Sequence, residues 1–180
     1  MSSPFRSLRV SLSTASADSA TPTDVELLRF AQGLEIALGR AYQAASSLLT
    51  STSAIQSAGA FTRHHVGHAA AFAGLAGGGA VVQANRALLA EMLGAVQSAK
   101  TENDALTVLY ELEDKAAATH QYLVEHLLGD DAIHLVASVL PVEGQHAVII
   151  GTLIQKALVD LTPAFQKAGG HYDPSRFPVP

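Results

Sequence analysis

The feature that most constrains the fold is a set of four apolar stripes of helical period, each broken near its middle by Glu or His. Stepping alternately three and four residues selects one face of an α-helix. The first stripe reads Leu28, Ala31, Glu35, Leu38, Tyr42, Ala45, Leu49, and the second Phe61, His65, His68, Phe72, Leu75. The third reads Leu106, Leu109, Glu113, Ala116, His120, Leu123, Leu127, and the fourth Val136, Val139, Glu143, His146, Ile150, Leu153, Ala157. Four such stripes predict an all-α four-helix bundle around one core. Composition agrees: 48% of residues are hydrophobic, 6% are aromatic, and Trp is absent. Ala and Leu cost least in helices, whereas a β-sandwich wants β-branched and aromatic residues. A chain of 180 residues is long enough to bury one such core.

Local signals give the boundaries. Thr23 or Asp24 caps helix one, with Glu26 in the first turn, and the helix runs to Leu49. Residues 51–53 break the chain. Helix two runs from Ala54 to Leu75 and is stopped by Gly77, Gly78 and Gly79. Residues 80–101 form a long connector with a short helix from Arg86 to Gln97. Helix three begins at residues 102–104 and ends at Leu128 and Gly129. Asp130 or Asp131 caps helix four, which is predicted to continue to Leu161 before Pro163. Pro141 lies inside helix four, two residues before Glu143, where it removes one hydrogen bond and kinks the axis. The expected organisation is a flexible polar arm over 1–23, a bundle over 24–161, and an extended C-terminal tail over 162–180.

Several function classes are excluded. The formal net charge of −5 leaves no basic nucleic-acid footprint. The absence of Cys rules out disulfides, thiolate metal sites, iron–sulfur clusters and a Cys nucleophile. No uninterrupted apolar run approaches the ~20 residues of a membrane span. Arg6 and Arg9 are not followed by an apolar segment, so the expected location is cytoplasmic, or exported if a signal has been removed. Gly77 to Gly79 lack the Lys and flanking strand of a phosphate-binding loop. His65 and His68 are three residues apart, whereas zinc proteases space their His pair by four.

The stripe interruptions carry the chemistry. An ionised carboxylate in an apolar interior costs several kcal/mol unless paired. Three Glu facing one another repel as well. Lys and Arg are absent from all four stripes, so these offer no organic cation. A divalent metal resolves the difficulty, with Glu oxygen and neutral His nitrogen as ligands. The spacings of His65 to His68 and of Glu143 to His146 place each pair on one helix face. The candidate metal ligands are Glu35, His65, His68, Glu113, Glu143 and His146. His120 lies one heptad, ~10 Å, from Glu113, and Tyr42 stands likewise to Glu35. His64, His120, His126, His134 and His171 read mainly as ordinary core, boundary or surface residues. The competing interpretation is a metal-free structural or interaction bundle, whose core polar groups hydrogen-bond to one another.

Four segments carry a resemblance: LRFAQGLEIALGRAYQ at 28–43, FTRHHVGHAAAF at 61–72, YELEDKAAATHQYL at 110–123 and LPVEGQHAV at 140–148. Their pattern resembles the ferritin-like superfamily, and most of all its bacterial ferritin-like domain proteins. In that superfamily helices one and three each give a Glu, while helices two and four each give Glu-x-x-His. The resemblance implies Glu35, His68, Glu113, Glu143 and His146 as matching ligands, and the connector at 80–101 as the long crossover between helices two and three. It implies one or two metal ions, iron or manganese, with zinc as another candidate, and redox chemistry with dioxygen or peroxide, as in a metal-dependent oxidoreductase linked to oxidative stress. Where the family places Glu in helix two, this chain has His65. A single-ion site, a nitrogen-rich site for zinc, copper or iron, and a vestigial site all remain open. The expected partner is a metal ion, with no nucleic acid and no membrane span, and with room for a homodimer.

Overall fold

The computed structural model describes residues 23–163 and 170–178. The arm reading over 1–23 therefore falls outside the described residues except at Thr23, and the tail reading falls partly outside them. Among the described residues there are helices, turns and loops, and no strand.

The first four helices start where a side chain can accept from their unpaired N–H groups. Helix α1 spans Asp24–Ala45, and Thr23 and Glu26 form a reciprocal capping box at its start. Helix α2 spans Thr52–Ala76, with Ser51 accepting from Ala54 N. Helix α3 spans Arg86–Ser98 and is capped by Asn85. Helix α4 spans Glu102–His126, with a second capping box from Thr101 and Asp104. Helix α5 spans Asp130–Leu153 and lacks a side-chain cap of its own. Its start is held instead by Asp24, whose carboxylate accepts from Leu128 N at 3.0 Å and Gly129 N at 2.7 Å. A short helix α6 follows at Leu158–Leu161.

The four long helices close a ring in which α1 packs on α2, α2 on α5, α5 on α4 and α4 on α1. The crossover from α2 to α4 contains α3, which lies against α1 and α4. That contact explains why α1 is buried around more than its predicted stripe: Leu27, Leu34 and Ala41 are also inside. The crossover is anchored by Gln32, whose side chain donates to Val81 O and accepts from Val81 N, both at 2.7 Å. All seven members of the first and third stripes are buried.

Four expectations are corrected. Helix four was expected to reach Leu161, but α5 ends at Leu153. Gln155 takes a left-handed conformation with φ of 58°. Lys156 N then bonds Gly151 O at 2.9 Å and Gln155 N bonds Thr152 O at 3.1 Å, a closed helix end. Leu161 folds back onto Gly151, where no Cβ would fit, and Ala157 is exposed. Leu75, on the second stripe, is also exposed at the end of α2. The part of the tail that is described is not extended. Residues 173–177 make a turn, closed by Arg176 N to Asp173 O and Phe177 N to Pro174 O. This turn buries Tyr172 and Phe177 in the core, and Tyr172 N donates to Thr119 Oγ1 at 2.9 Å. Lastly, α5 is long and apolar enough, by length and composition, to cross a membrane, although no uninterrupted apolar run is. In the fold it is a bundle helix with Glu143 and His146 turned inward.

Candidate metal centre

The stripe interruptions meet in one layer. Glu35 comes from α1, His65 and His68 from α2, Glu113 from α4, and Glu143 with His146 from α5. The structure brings all six side chains together as two overlapping groups of four. One comprises Glu35, His65, His68 and Glu143; the other comprises His65, Glu113, Glu143 and His146. Within each group the candidate ligand atoms lie within 4.8 Å of one another. His65 and Glu143 belong to both. Among the six, only His68 keeps appreciable exposure, 16% of its side chain.

His65 sits between two carboxylates. Its Nδ1 lies 2.8 Å from Glu35 Oε2 and its Nε2 3.2 Å from Glu113 Oε1. Both ring nitrogens therefore face acceptors, a geometry that suits the doubly protonated imidazolium. Burial opposes that charge, but Glu113 and Glu35 outweigh burial and raise the His65 pKa well above its ordinary value. His68 Nδ1 lies 3.3 Å from Glu35 Oε2 and 2.9 Å from Glu143 Oε1. Despite its burial, these carboxylates push its pKa up to about 9. His146 Nδ1 lies 3.1 Å from Glu143 Oε2 and 3.4 Å from Glu113 Oε2, and its pKa is raised by the same balance. The stripes lack Lys and Arg, but the imidazoles of His65, His68 and His146 face the carboxylates and can carry positive charge in their place.

The carboxylates respond in kind. Burial alone would raise Glu35, yet donation from His120, His65 and His68 holds it well below the usual carboxylate range. Glu113 is likewise lowered against its burial, first by the charge of His65 and then by bonds from His146 and His65. Glu143 goes the other way. Burial and the charges of Glu35 and Glu113 raise it. Its Oε1 makes no hydrogen bond of good geometry, although His68 Nδ1 lies 2.9 Å away as an ion-pair partner. Three buried carboxylates interleaved with three imidazoles are the donor chemistry that suits a cation.

Three further residues join the cluster. His120 Nε2 donates to Glu35 Oε1 at 2.8 Å, and the Tyr42 hydroxyl donates to Glu113 Oε1. Both are fully buried. Their heptad spacing from a Glu on the same stripe was the available signal. His64 Nδ1 lies 2.9 Å from His146 Nε2. It lies off the second stripe and is exposed, so sequence spacing gave no pointer to it. A cleft of about 280 Å³ between α1 and α2 reaches Glu35 and His65 past Gly39, Arg40, Thr62 and Val66. The larger cavity of about 430 Å³, between α4, α5 and α6, contains none of the six.

The comparisons with known proteins agree with this architecture. No curated protein and no solved structure matches the chain. A family model described as the ferritin-like domain matches residues 23–156, from the N-cap of α1 to just past the end of α5. The chain belongs to the ferritin-like domain family.

Proposed function

We propose that the protein binds one or two divalent transition-metal ions, iron or manganese, in the layer formed by Glu35, His65, His68, Glu113, Glu143 and His146. The observation that carries this reading is the pair of four-residue groups sharing His65 and Glu143, whose candidate ligand atoms lie within 4.8 Å of one another in each group. Family membership supports it. Iron or manganese bound there supplies redox chemistry with dioxygen or peroxide. The chain's own residues have separable tasks. Glu35 and Glu113 offer carboxylates already oriented by His120 and Tyr42 respectively. Glu143 belongs to both groups. His65 and His68, whose pKa values the carboxylates raise, must give up a proton to become ligands, so binding releases protons. Tyr42 holds its proton at Oη against Glu113, and burial together with that carboxylate raises its pKa well above the ordinary value.

A second reading is favoured by a separate observation. Apart from Glu143 Oε1, every carboxylate oxygen of Glu35, Glu113 and Glu143 accepts from an imidazole or from Tyr42. The interior is thus nearly self-satisfied, as a metal-free structural bundle requires. Elemental analysis of protein expressed without added metal, followed by titration with Fe(II), Mn(II) and Zn(II), separates the two. The metal reading expects one to two tightly held ions per chain. No binding of any ion at millimolar excess establishes the metal-free bundle.

A further inference from the structure

We propose that His64 is a positioning residue for His146, accepting a hydrogen bond from His146 Nε2–H and thereby holding Nδ1 of that ring toward Glu113 and Glu143. The inference rests on the metal-binding reading above.

An imidazole that ligates through one nitrogen must carry its proton on the other, and that proton needs an acceptor. In this layer the imidazoles meet the requirement differently. His65 has both nitrogens on carboxylates, so its inward and outward sides are equivalent. His146 is asymmetric. Its Nδ1 faces Glu143 at 3.1 Å and Glu113 at 3.4 Å, while its Nε2 faces away, toward His64 Nδ1 at 2.9 Å. Among the described residues, His64 is the partner that Nε2 has.

Packing alone does not fix this orientation. Phe61 stacks on the His146 ring with centroids 4.0 Å apart and planes 25° apart, which sets the ring plane. A half-turn about the Cβ–Cγ bond keeps that ring plane but swaps each nitrogen for a carbon. The hydrogen bond to His64 is sensitive to that swap. It selects the rotamer with nitrogen inward and the tautomer with the proton outward. His64 also links α2, which carries His65 and His68, to α5, which carries Glu143 and His146. A neutral acceptor has a further merit here. A fourth carboxylate at this position would add negative charge to a layer that already holds Glu35, Glu113 and Glu143.

The test uses the full chain, Co(II) as the probe, and two variants. His64→Leu removes the acceptor while keeping an apolar side chain beside Phe61. His64→Gln keeps an acceptor on a side chain of similar reach. Competitive titration followed by the Co(II) visible spectrum is expected to show binding at least tenfold weaker in His64→Leu. In His64→Gln affinity is expected to recover to within a few-fold of wild type. In the Zn(II)-loaded wild type, nitrogen-15 NMR of labelled His is expected to show a proton on His146 Nε2 that exchanges slowly with solvent. In His64→Leu that exchange becomes fast. If wild type binds Co(II) and His64→Leu binds it equally well, the inference is overturned while the metal reading stands. If His64→Gln is as weak as His64→Leu, hydrogen bonding to His64 is not the cause and the inference is again overturned. If wild type binds no Co(II), the metal reading fails and this inference falls with it.

Discussion

Replacing Glu113 by Ala in the metal-free protein probes the cluster most sharply. Were Glu113 an unpaired buried charge, its removal would be neutral or stabilising. The structure reverses that sign. Glu113 is fully buried and accepts from the Tyr42 hydroxyl, His65 Nε2 and His146 Nδ1. Truncation leaves a buried phenol without a partner, at about 1–3 kcal/mol. It also breaks a buried ion pair from one side, which costs about 3–5 kcal/mol. These losses share partners and do not add, so the expected total is about 3–5 kcal/mol. For a domain of this size that is a fall in Tm on the order of 10 °C. The assay is calorimetric melting in excess chelator at pH 7, with Glu113→Gln alongside. Gln keeps an acceptor for Tyr42 and loses only the charge, so its loss is expected to be smaller. An unchanged or raised Tm for Glu113→Ala in chelator would refute the view that imidazolium groups neutralise the buried carboxylates.

Other outcomes follow from named contacts. His65→Glu removes the imidazole between Glu35 and Glu113; it should lower Tm in chelator yet raise Mn(II) or Fe(II) stoichiometry toward two per chain, read by elemental analysis. The metal-free protein should lose stability at alkaline pH. A His with a raised folded pKa stabilises fully below the unfolded value of 6.5, and that contribution disappears as pH rises through about 9 for His68. Melting in chelator at pH 6 and pH 9.5 checks this, and higher stability at pH 9.5 would contradict it. Gln155→Gly should relieve the left-handed conformation at the end of α5 and stabilise by about 1 kcal/mol, a rise of roughly 2–4 °C. A lower Tm for that variant would show that the Gln155 side chain contributes more than its backbone costs.

The bundle and its polar layer were legible because both are written in helical period. Glu35, Glu113 and Glu143 interrupt stripes whose flanks are apolar on both sides, and such an interruption has one place to go. The partners that tune the layer were less visible. His120 and Tyr42 are one heptad from a ligand candidate, so their face was known, but periodicity does not say which oxygen a side chain reaches. His64 lies beside His65 on the exposed side of α2, and only the position of α5 relative to α2 brings it to His146. The end of α5 was misread for a different reason. Ile154, Leu158 and Leu161 continue an apolar spacing, and no Gly marks the turn. The chain turns at Gln155, a residue that rarely takes this conformation, because Leu161 gains a seat on Gly151. The aromatic anchors Tyr172 and Phe177 lie in a Pro-containing segment without regular period, so their burial depends on tertiary contacts with Thr119 and the core.

The self-pairing of the imidazoles and carboxylates has a consequence for how such a protein lives in a cell. A small zinc domain that depends on its ion for structure is unfolded until metal arrives, and scarcity exposes it to proteolysis. Here the imidazoles of His65, His68 and His146 face the buried carboxylates and can carry the positive charge that a metal would otherwise supply. On the proposed metal-binding reading, folding would not have to wait for an ion. Loading would exchange protons for an ion inside a folded core, so the lifetime of the chain would be set separately from its occupancy.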